Sequence, residues 1–276
     1  MKIFDVHMHI GDKHAWTEEA FGFLMSLGHR YEERLYDEAG NQNDCELHNI
    51  LIDEGVEHAI LLPEYAPKTT GIHPVERVIE IAEKYPRFIP FGFINPSLHH
   101  PTQEFERQLN LGIRGLKIHP VHCEHYVNDR NLYPLYDRCM QLNMPVMMHA
   151  GTSIFTGSKM RYADPYSYDD VATDFPDLTI ILAHGGRGFW YQQAEFMVKR
   201  HKNVYIDVCG LPPQNLLKLF PALPLFPEKF LFGTDFPGVP GIRTNAEAIY
   251  GLKISLEAKE LICYGNAMRV ILPDRA

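Results

Sequence analysis

The sequence has few cysteines, no long apolar run and no excess of positive charge. Five cysteines lie scattered over 276 residues without a C-x-x-C pair, which argues against a disulfide framework and a cysteine-based zinc site. The formal net charge of −9 argues against nucleic acid or an anionic membrane as a partner. No apolar run reaches the ~18 residues of a membrane span, and the first residues lack the apolar core of a signal peptide. We therefore expect a cytoplasmic protein that acts on a small molecule.

Histidine, in contrast, is abundant, with 15 residues in the chain. Several of these histidines stand at the ends of apolar runs rather than in polar segments. Imidazole is the commonest metal ligand among protein side chains and can also transfer protons near neutral pH. Metal chemistry at these positions is therefore the first function to consider.

Short β-rich runs alternate with longer amphipathic stretches along the chain. This alternation predicts parallel βαβ units, and the eight strands fit one (β/α)8 barrel domain over residues 1–276. An open, doubly wound sheet is the alternative, although no strand–GxGxxG–helix unit is present. The predicted strands are Lys2–His7, His58–Leu62, Phe88–Ile94, Gly115–His119, Pro145–His149, Thr179–His184, Val204–Val208 and Phe230–Thr234. The predicted helices include Val75–Tyr85, Gln103–Leu111, Leu132–Leu142, Tyr191–Lys199 and Leu256–Cys263.

Residues 11–43 interrupt the alternation after the first strand. The segment is rich in aromatic and charged residues and is too long for an ordinary βα loop. We expect an insertion that is partly helical. It either forms a lid over the carboxyl ends of the strands or packs on the barrel as a surface excursion.

Four predicted strands lead into histidine and a fifth leads into aspartate. The carboxyl ends of barrel strands converge on one face, so these residues should meet in one cavity. His7 and His9 stand two apart on a strand, so their side chains point to the same side and can bind one metal ion together. Imidazole and carboxylate suit zinc, iron or manganese better than calcium or magnesium. The segments are Asp5–His9, Lys117–Pro120, Met147–Gly151, Leu182–Gly186 and Gly233–Pro237.

These segments also resemble a known family. FDVHMHIG, GLKIHP, MPVMMHAG, LTIILAHGG and KFLFGTDFP, in this order, resemble the amidohydrolase superfamily, and most closely its amidohydrolase-2 branch. That branch includes the aminocarboxymuconate-semialdehyde and resorcylate decarboxylases. The resemblance covers nearly the whole chain and extends to NVYIDVCG and ICYGNAMRVI. It implies a metal-bearing (β/α)8 barrel, and related enzymes lead us to expect a homodimer.

The resemblance implies the ligands of a divalent metal ion. His7 and His9 match the ligands of the first strand, His149 matches the ligand of the fifth strand, and Asp235 matches the carboxylate of the eighth. We expect one ion rather than two, with zinc as the expected metal and manganese or iron as alternatives. In one-metal members the residue that matches His184 acts on the metal-bound water. In two-metal members the same histidine is a ligand. His184 and Asp235 are therefore the candidate catalytic groups that accept or return a proton.

Four further residues are candidate substrate contacts. Lys117 matches a position that carries a bridging carbamate in two-metal members; in one-metal members it binds a substrate carboxylate or forms an ion pair. His119 shares its face and is either a substrate contact or structural. Arg187 can bind an anionic group, or pair with a nearby carboxylate at the surface. Arg161, in the long segment after the fifth strand, is a weaker candidate for the same role. Asp5 and Asp207 are expected to support the site structurally.

Three functions remain open from the sequence. The first, which we favour, is hydrolysis of an amide, ester or lactone in a small carbonyl-bearing molecule by a metal-activated water. The second is non-oxidative decarboxylation, or hydration, of a small unsaturated or aromatic carboxylic acid. The third is a barrel that keeps its metal but has lost catalysis. The presence of all five of His7, His9, His149, His184 and Asp235 argues against this third function.

Overall fold

The structure is a computed structural model that describes residues 1–272. Its strands are β1 (Ile3–His9), β2 (Val56–Leu62), β3 (Glu64–Ala66), β4 (Gly71–His73), β5 (Phe88–Pro90), β6 (Gly92–Phe93), β7 (Leu116–Ile118), β8 (Val146–Gly151), β9 (Ile180–Arg187), β10 (Val204–Asp207) and β11 (Phe230–Leu231). Parallel pairing joins β1, β2 and β5 in one sheet and β6 to β11 in a second sheet. β5 and β6 flank Phe91 as two halves of one barrel strand. The N–H of Val6 closes the ring by donating to the carbonyl of Phe232 over 2.9 Å.

The predicted (β/α)8 barrel is confirmed, with differences at the ends of strands. β1 continues to His9 and β9 to Arg187, two and three residues beyond the predicted ends. The last strand is shorter than predicted because its ladder with β10 ends at Leu231. The chain from Phe232 onward then crosses to β1, where the N–H of Asp235 donates to the carbonyl of His7 over 3.0 Å.

An antiparallel hairpin of β3 and β4 follows β2 and was not predicted. Each of its strands has three residues, with Glu64 paired to His73, which is too short to produce a periodic sequence signal. Glu64 is fully buried. The hairpin therefore brings a buried carboxylate next to the end of β1.

The helices surround the barrel and begin or end at side-chain and glycine caps. The side chain of Asn43 accepts a hydrogen bond from the N–H of Glu46, and Gly55 ends the same helix with φ +78°. Among residues 1–272, no helix is long and apolar enough to cross a membrane. The helices are α1 (Glu18–Leu35), α2 (Asp44–Glu54), α3 (Val75–Lys84), α4 (Pro101–Leu111), α5 (Pro120–Cys123), α6 (Tyr133–Gln141), α7 (Pro165–Asp174), α8 (Tyr191–Arg200), α9 (Leu216–Leu219), α10 (Ile242–Tyr250), α11 (Leu256–Glu260) and α12 (Asn266–Ile271). The helix predicted over Leu256–Cys263 ends as α11 at Glu260 and continues as a π-helical turn over Leu261–Gly265.

Much of the insertion over residues 11–43 is helical, as expected, because α1 fills its centre. The helix is kinked at Gly28, whose φ of −100° and ψ of 18° lie outside the helical range. At this point α1 approaches the barrel so closely that a Cβ on Gly28 would lie 1.7 Å from the carbonyl oxygen of Pro237. The contact requires glycine and holds α1 against the segment that follows Asp235.

We predict that Gly28→Ala lowers the thermal stability and loosens α1, since the added methyl group must displace the Pro237 carbonyl. The matched control is Gly22→Ala in the same helix, where a Cβ meets no atom within 4 Å. That change should stabilise the protein by about 0.5–1 kcal/mol through helix propensity. Thermal unfolding of both variants tests the packing; equal melting temperatures for the two would contradict it.

Candidate metal centre and active-site cavity

Three of the predicted ligands meet at the carboxyl end of β1. The Nε2 atoms of His7 and His9 lie 3.2 Å apart. Oδ1 of Asp235 lies 3.6 Å from the first and 3.2 Å from the second. Two nitrogen ligands of a tetrahedral ion lie about 3.3 Å apart when each bond is about 2.0 Å long. The spacing and the N/O donor chemistry of this cluster therefore fit a transition-metal ion.

His149 reaches the same cavity from the end of β8. Its ring centroid lies 4.6 Å from that of His184, and the residue is 2% exposed. Both ring nitrogens of His149 are buried without a hydrogen-bond partner, which is unfavourable for a polar side chain in a protein interior. Its nitrogens lie outside the tight cluster of His7, His9 and Asp235. A metal ion that accepts the lone pair of the unprotonated nitrogen would remove part of this penalty.

Buried carboxylates orient the imidazoles of β1. Nδ1 of His7 forms a hydrogen bond of 2.7 Å with Oδ2 of Asp207. Nδ1 of His9 lies 3.2 Å from Oε1 of Glu64, an ion-pair distance without hydrogen-bond alignment. Each contact leaves Nε2 directed at Asp235. Carboxylates behind ligating histidines set the ring orientation and raise ligand basicity at metal sites. Sequence reasoning missed Glu64, because the hairpin that carries it was not recognised.

The carboxylates of this cluster stabilise positive charge beside them. Burial lowers the pKa of His7 to about 4, and the nearby Lys117 acts in the same direction. Burial also opposes protonation of His9, but contacts with the carboxylates of Asp235 and Glu64 outweigh it and raise the pKa of His9 to about 9. Burial would raise the pKa of Asp235, yet its histidine neighbours hold it well below the usual range. Asp235 is therefore an ionised carboxylate.

His184 lines the cavity with one nitrogen already engaged. Its Nδ1 lies 3.1 Å from the carbonyl oxygen of Cys209, so Nδ1 carries the proton and Nε2 has a free lone pair. Burial, followed by the charge of Arg187, places the pKa of His184 well below its usual range. His184 and Asp235 also have left-handed backbones, with φ of 66° and 68°. Such strain in non-glycine residues is concentrated at functional sites.

Cys209 forms a second group of potential ligand atoms with His7 and His184, all within 4.8 Å of one another. Sγ lies 3.0 Å from Nδ1 of His7 and 3.1 Å from Nδ1 of His184. Those nitrogens already face Asp207 and the Cys209 carbonyl. Burial and the charge of Asp207 raise the pKa of the thiol well above its usual range, so this group is a weaker candidate for a cation than the cluster of His7, His9 and Asp235.

The four predicted substrate contacts occupy different places. Arg187 and His119 line the cavity, and a guanidinium nitrogen of Arg187 lies 3.9 Å from Oδ2 of Asp235. Lys117 is fully buried and does not line the cavity; its Nζ lies 3.3 Å from Nε2 of His7. Arg161 is exposed on the outer surface, where it contacts Tyr162. Arg187 and His119 thus face the cavity, whereas Lys117 lies beside the predicted ligand His7 and Arg161 lies on the surface.

The cavity has a volume of ≈ 250 Å³ and two different walls. The polar wall contains His9, His149 and Asp235 of the metal site together with Arg187, Thr152 and Ser153. The apolar wall comes from α1 with its preceding turn and from the loop after β8. Its residues are Trp16, Ala20, Phe23, Leu24, Ile154 and Phe155. A small molecule with a charged end and an apolar or unsaturated body fits this division.

We predict that Glu64→Gln weakens metal retention by about 10–100-fold, because the neutral amide supports His9 less strongly than the carboxylate does. A matched control is Glu76→Gln, which changes an exposed carboxylate paired with Arg107. The affinity for zinc in competition with a chelator should fall for the first variant and stay unchanged for the second. Wild-type affinity in Glu64→Gln would show that Glu64 does not support the ligand.

Comparison with known proteins gives independent information on the family. The sequence profile of the amidohydrolase family Amidohydro_2 matches residues 67–271. The chain is 30% identical over 206 residues to a 2-keto-4-carboxy-3-hexenedioate hydratase from a Sphingobium species. That match covers 60% of this chain and 59% of the hydratase, so the chain matches about three fifths of the length of this curated relative.

Solved structures share the whole fold. An uncharacterized TIM-barrel protein from Bordetella bronchiseptica is 27% identical, with a TM-score of 0.80 and coverage of 98% of both chains. A dihydroxybenzoic acid decarboxylase from Polaromonas sp. JS666, solved with manganese and the inhibitor 2-nitroresorcinol, is 18% identical, with a TM-score of 0.67 and coverage of 100% of this chain and 97% of the decarboxylase. At this identity the likeness to the decarboxylase shows the fold alone.

The family profile covers well over half of the chain, and the cluster of His7, His9 and Asp235 has the geometry and chemistry of a metal centre. The resemblance read from the sequence is therefore confirmed. These relatives give no support to the third possibility, a barrel that keeps its metal but has lost catalysis. The chain belongs to the amidohydrolase family, in its amidohydrolase-2 branch, and is a metal-dependent enzyme built on a (β/α)8 barrel.

Proposed function

We propose that the enzyme is a metal-dependent hydratase of a small unsaturated carboxylic acid that also bears a carbonyl group. The observation that carries this proposal is His184, a buried neutral imidazole with a free lone pair in a cavity that also holds a carboxylate and a guanidinium. The hydratase relative supports water addition as the reaction. Hydrolysis, which the sequence analysis favoured, has less support than its alternative.

The proposed cofactor is one divalent ion held by His7, His9, His149 and Asp235. Zinc is the expected metal, with manganese or iron as alternatives for this set of ligands; the decarboxylase neighbour contains manganese. When bound, the ion supplies Lewis-acid chemistry, which polarises a carbonyl oxygen and makes water more acidic. The support for a single ion is that the Nδ1 atoms of His7 and His184, which face the Cys209 sulfur, already contact Asp207 and the Cys209 carbonyl, and that Lys117 lies against His7.

The side chains of the cavity can carry out the proton transfers of hydration. Nε2 of His184 accepts a proton from the attacking water while the water oxygen bonds to one carbon of the double bond. The π electrons move to the conjugated carbonyl and produce an enolate, and a proton added to the neighbouring carbon restores the carbonyl. Asp235 is placed to orient the water or share its proton. Arg187 binds the substrate carboxylate, and the apolar wall holds the unsaturated body away from solvent.

Decarboxylation of an aromatic acid is the second candidate. The apolar wall contains Trp16, Phe23 and Phe155, which can pack against a planar ring. In that reaction a proton replaces carbon dioxide on a ring carbon, so the cavity must supply an acid rather than a base. Nε2 of His184 has a free lone pair, because Nδ1 faces the Cys209 carbonyl. A proton acceptor at this place favours the hydratase.

We also propose that α1 acts as a lid together with the loop after β8. The N–H and hydroxyl of Thr156 lie 3.2 and 3.3 Å from the carboxylate of Glu19. The rings of Phe23 and Phe155 make an edge contact at 5.9 Å. These two contacts lie above the cavity, and substrate entry would separate them. The homodimer and the cytoplasmic location expected from the sequence stay predictions.

We predict that His184→Asn keeps one metal ion per chain but lowers turnover of 2-keto-4-carboxy-3-hexenedioate by roughly a hundredfold or more. Loss of the base slows proton removal from water without removing a ligand. Metal content is measured by plasma mass spectrometry, and turnover by loss of the absorbance of the conjugated double bond. Stoichiometric loss of metal from the variant would make His184 a ligand. Absence of hydration by the metal-loaded wild-type enzyme would reject this substrate, and release of carbon dioxide from 2,6-dihydroxybenzoate would favour the decarboxylase.

We predict that Arg187→Met raises the KM for the acid substrate by about 10–100-fold, since a hydrogen bond to a charged group contributes about 1.5–3 kcal/mol. Arg161→Met is the matched control, because Arg161 is exposed and lies outside the cavity. It should leave KM unchanged. Equal KM values for the two variants would remove Arg187 from substrate binding.

A further inference from the structure

The surroundings of His149 differ from those of the other two predicted histidine ligands. A carboxylate lies behind each of the two imidazoles of β1. In the described part of the chain, no group forms a hydrogen bond with either ring nitrogen of His149. The direction of its ring therefore depends on the backbone that carries it and on the side chains packed around it.

The backbone of His149 lies where the pairing of β8 with β9 becomes irregular. His149 pairs with Ala183, whereas Gly151 pairs with Arg187. Two steps along β8 therefore correspond to four steps along β9, and the ladder shifts its register directly after His149. Irregularities of this kind disrupt the regular hydrogen bonds and are common next to active sites, where they turn a side chain toward its target. Another contact must therefore help to fix the backbone at His149.

Tyr168 of α7 provides such a contact. Its side chain is buried, and its hydroxyl donates to the carbonyl oxygen of His149 over 2.5 Å. A carbonyl oxygen can only accept a hydrogen bond, so the hydroxyl is the donor. α7 is itself anchored at the end of α8, where Asp169 contacts Nε2 of His201 at 2.7 Å. The donor therefore lies on a helix that is held from its other side.

The place of Tyr168 in the chain links the metal centre to the loop after β8. The chain leaves the barrel after Gly151, forms the loop that provides part of the apolar wall, and returns as α7 at Pro165. The hydroxyl of Tyr168 then reaches back to the strand from which the loop departs. This hydrogen bond closes the base of the loop, so that the loop can open for a substrate while His149 stays in place.

We propose that Tyr168 is a positioning residue, whose hydroxyl holds the backbone of His149 in the place that metal binding requires. This inference rests on the proposed metal centre, in which His149 is a ligand. Without the hydroxyl, the end of β8 is free to move, and metal binding must order it at the expense of affinity. The hydroxyl acts through the His149 backbone, so its contribution appears in the affinity for the metal rather than in the proton transfers.

The test compares Tyr168→Phe with Tyr136→Phe. Tyr136 is the matched control, because it is a buried tyrosine whose hydroxyl also donates to a backbone carbonyl, that of Val127, over 2.8 Å. Each variant loses one hydrogen bond, so both should lose a similar amount of thermal stability. The Kd for zinc is measured in competition with a chelator. It should rise about three- to tenfold in Tyr168→Phe and stay within about twofold of the wild type in Tyr136→Phe.

The absorption spectrum of the cobalt-substituted protein provides a readout that a loss of stability alone does not change. Co²⁺ accepts the same nitrogen and oxygen ligands as zinc, and its visible bands depend on their geometry. The bands should shift or broaden in Tyr168→Phe and match those of the wild type in Tyr136→Phe. Wild-type bands and wild-type zinc affinity in Tyr168→Phe overturn the proposal, whatever the loss of stability.

A double variant shows whether the effect passes through the ligand. His149→Ala removes the imidazole and weakens zinc binding by itself. Tyr168→Phe should then cause no further loss of zinc affinity, because the group that it positions is absent. A further loss as large as in the wild-type background would show that Tyr168 acts elsewhere and would overturn the proposal.

Hydrogen exchange tests the wild type directly and keeps the proposal open to disproof if Tyr168→Phe does not fold. A backbone that is held in place without metal predicts that the amides of residues 149–151 are protected in the metal-free protein and gain little protection from zinc. Fast exchange without metal that slows strongly when zinc is added would reject the positioning role.

Metal content separates this inference from the proposed metal centre and from the proposed reaction. A wild type that binds zinc, with unchanged affinity in Tyr168→Phe, keeps the metal centre and rejects the role of Tyr168. A wild type that binds no zinc rejects the metal centre and this inference with it. Because the measured quantity is metal affinity, the result does not depend on whether the substrate is hydrated or decarboxylated.

Discussion

The buried contact between Nδ1 of His7 and the carboxylate of Asp207, 2.7 Å long, is the interaction on which the geometry of the metal centre depends. It leaves Nε2 of His7 as the free nitrogen and turns it toward His9 and Asp235. Without it, the ring could rotate and the three donor atoms would no longer converge. A carboxylate buried without a partner is very costly, so the contact also explains why Asp207 is retained inside the barrel. Glu64, from the hairpin after β2, lies behind His9 at an ion-pair distance of 3.2 Å without the alignment of a hydrogen bond.

The buried carboxylate of Asp5 joins β1 to the segment after β11, next to the metal cluster. Asp5 accepts hydrogen bonds from the N–H groups of His7 and Thr234 and from the Thr234 hydroxyl, at 3.0, 3.1 and 2.5 Å. This joint holds Asp235 beside His7 although the ladder of β11 ends earlier, at Leu231. It also helps to hold the left-handed backbone of Asp235, a conformation that costs about 1–3 kcal/mol and persists only where surrounding contacts fix it. The stable barrel thus maintains a strained residue at the site.

Chemistry and specificity come from different parts of the molecule. The strand ends provide the proposed metal ligands and the proposed base. Residues outside the barrel strands, in α1 and in the loop after β8, provide the apolar wall. These segments can vary without disturbing the cluster of His7, His9 and Asp235, which is consistent with one fold serving several reactions in related proteins. The choice between hydration and decarboxylation therefore depends on what surrounds the metal centre, since the same ligands can serve both.

The sequence alone determined the barrel, its strands and the main members of the site, because local patterns record them. Apolar runs ending in histidine predict strands, and the spacing of His7 and His9 places both rings on one side. Tertiary structure decided the rest. The contacts of His7 with Asp207 and of His9 with Glu64 depend on ring closure and on a hairpin too short to leave a periodic signal. Sequence position alone also did not place Lys117 and Arg161. Both were predicted as substrate contacts, but packing buries Lys117 beside His7 and leaves Arg161 on the surface. Three-dimensional packing decides which side of a strand or loop faces a cavity. The residues next to a position in the sequence do not show this, because the packing partners come from distant parts of the chain.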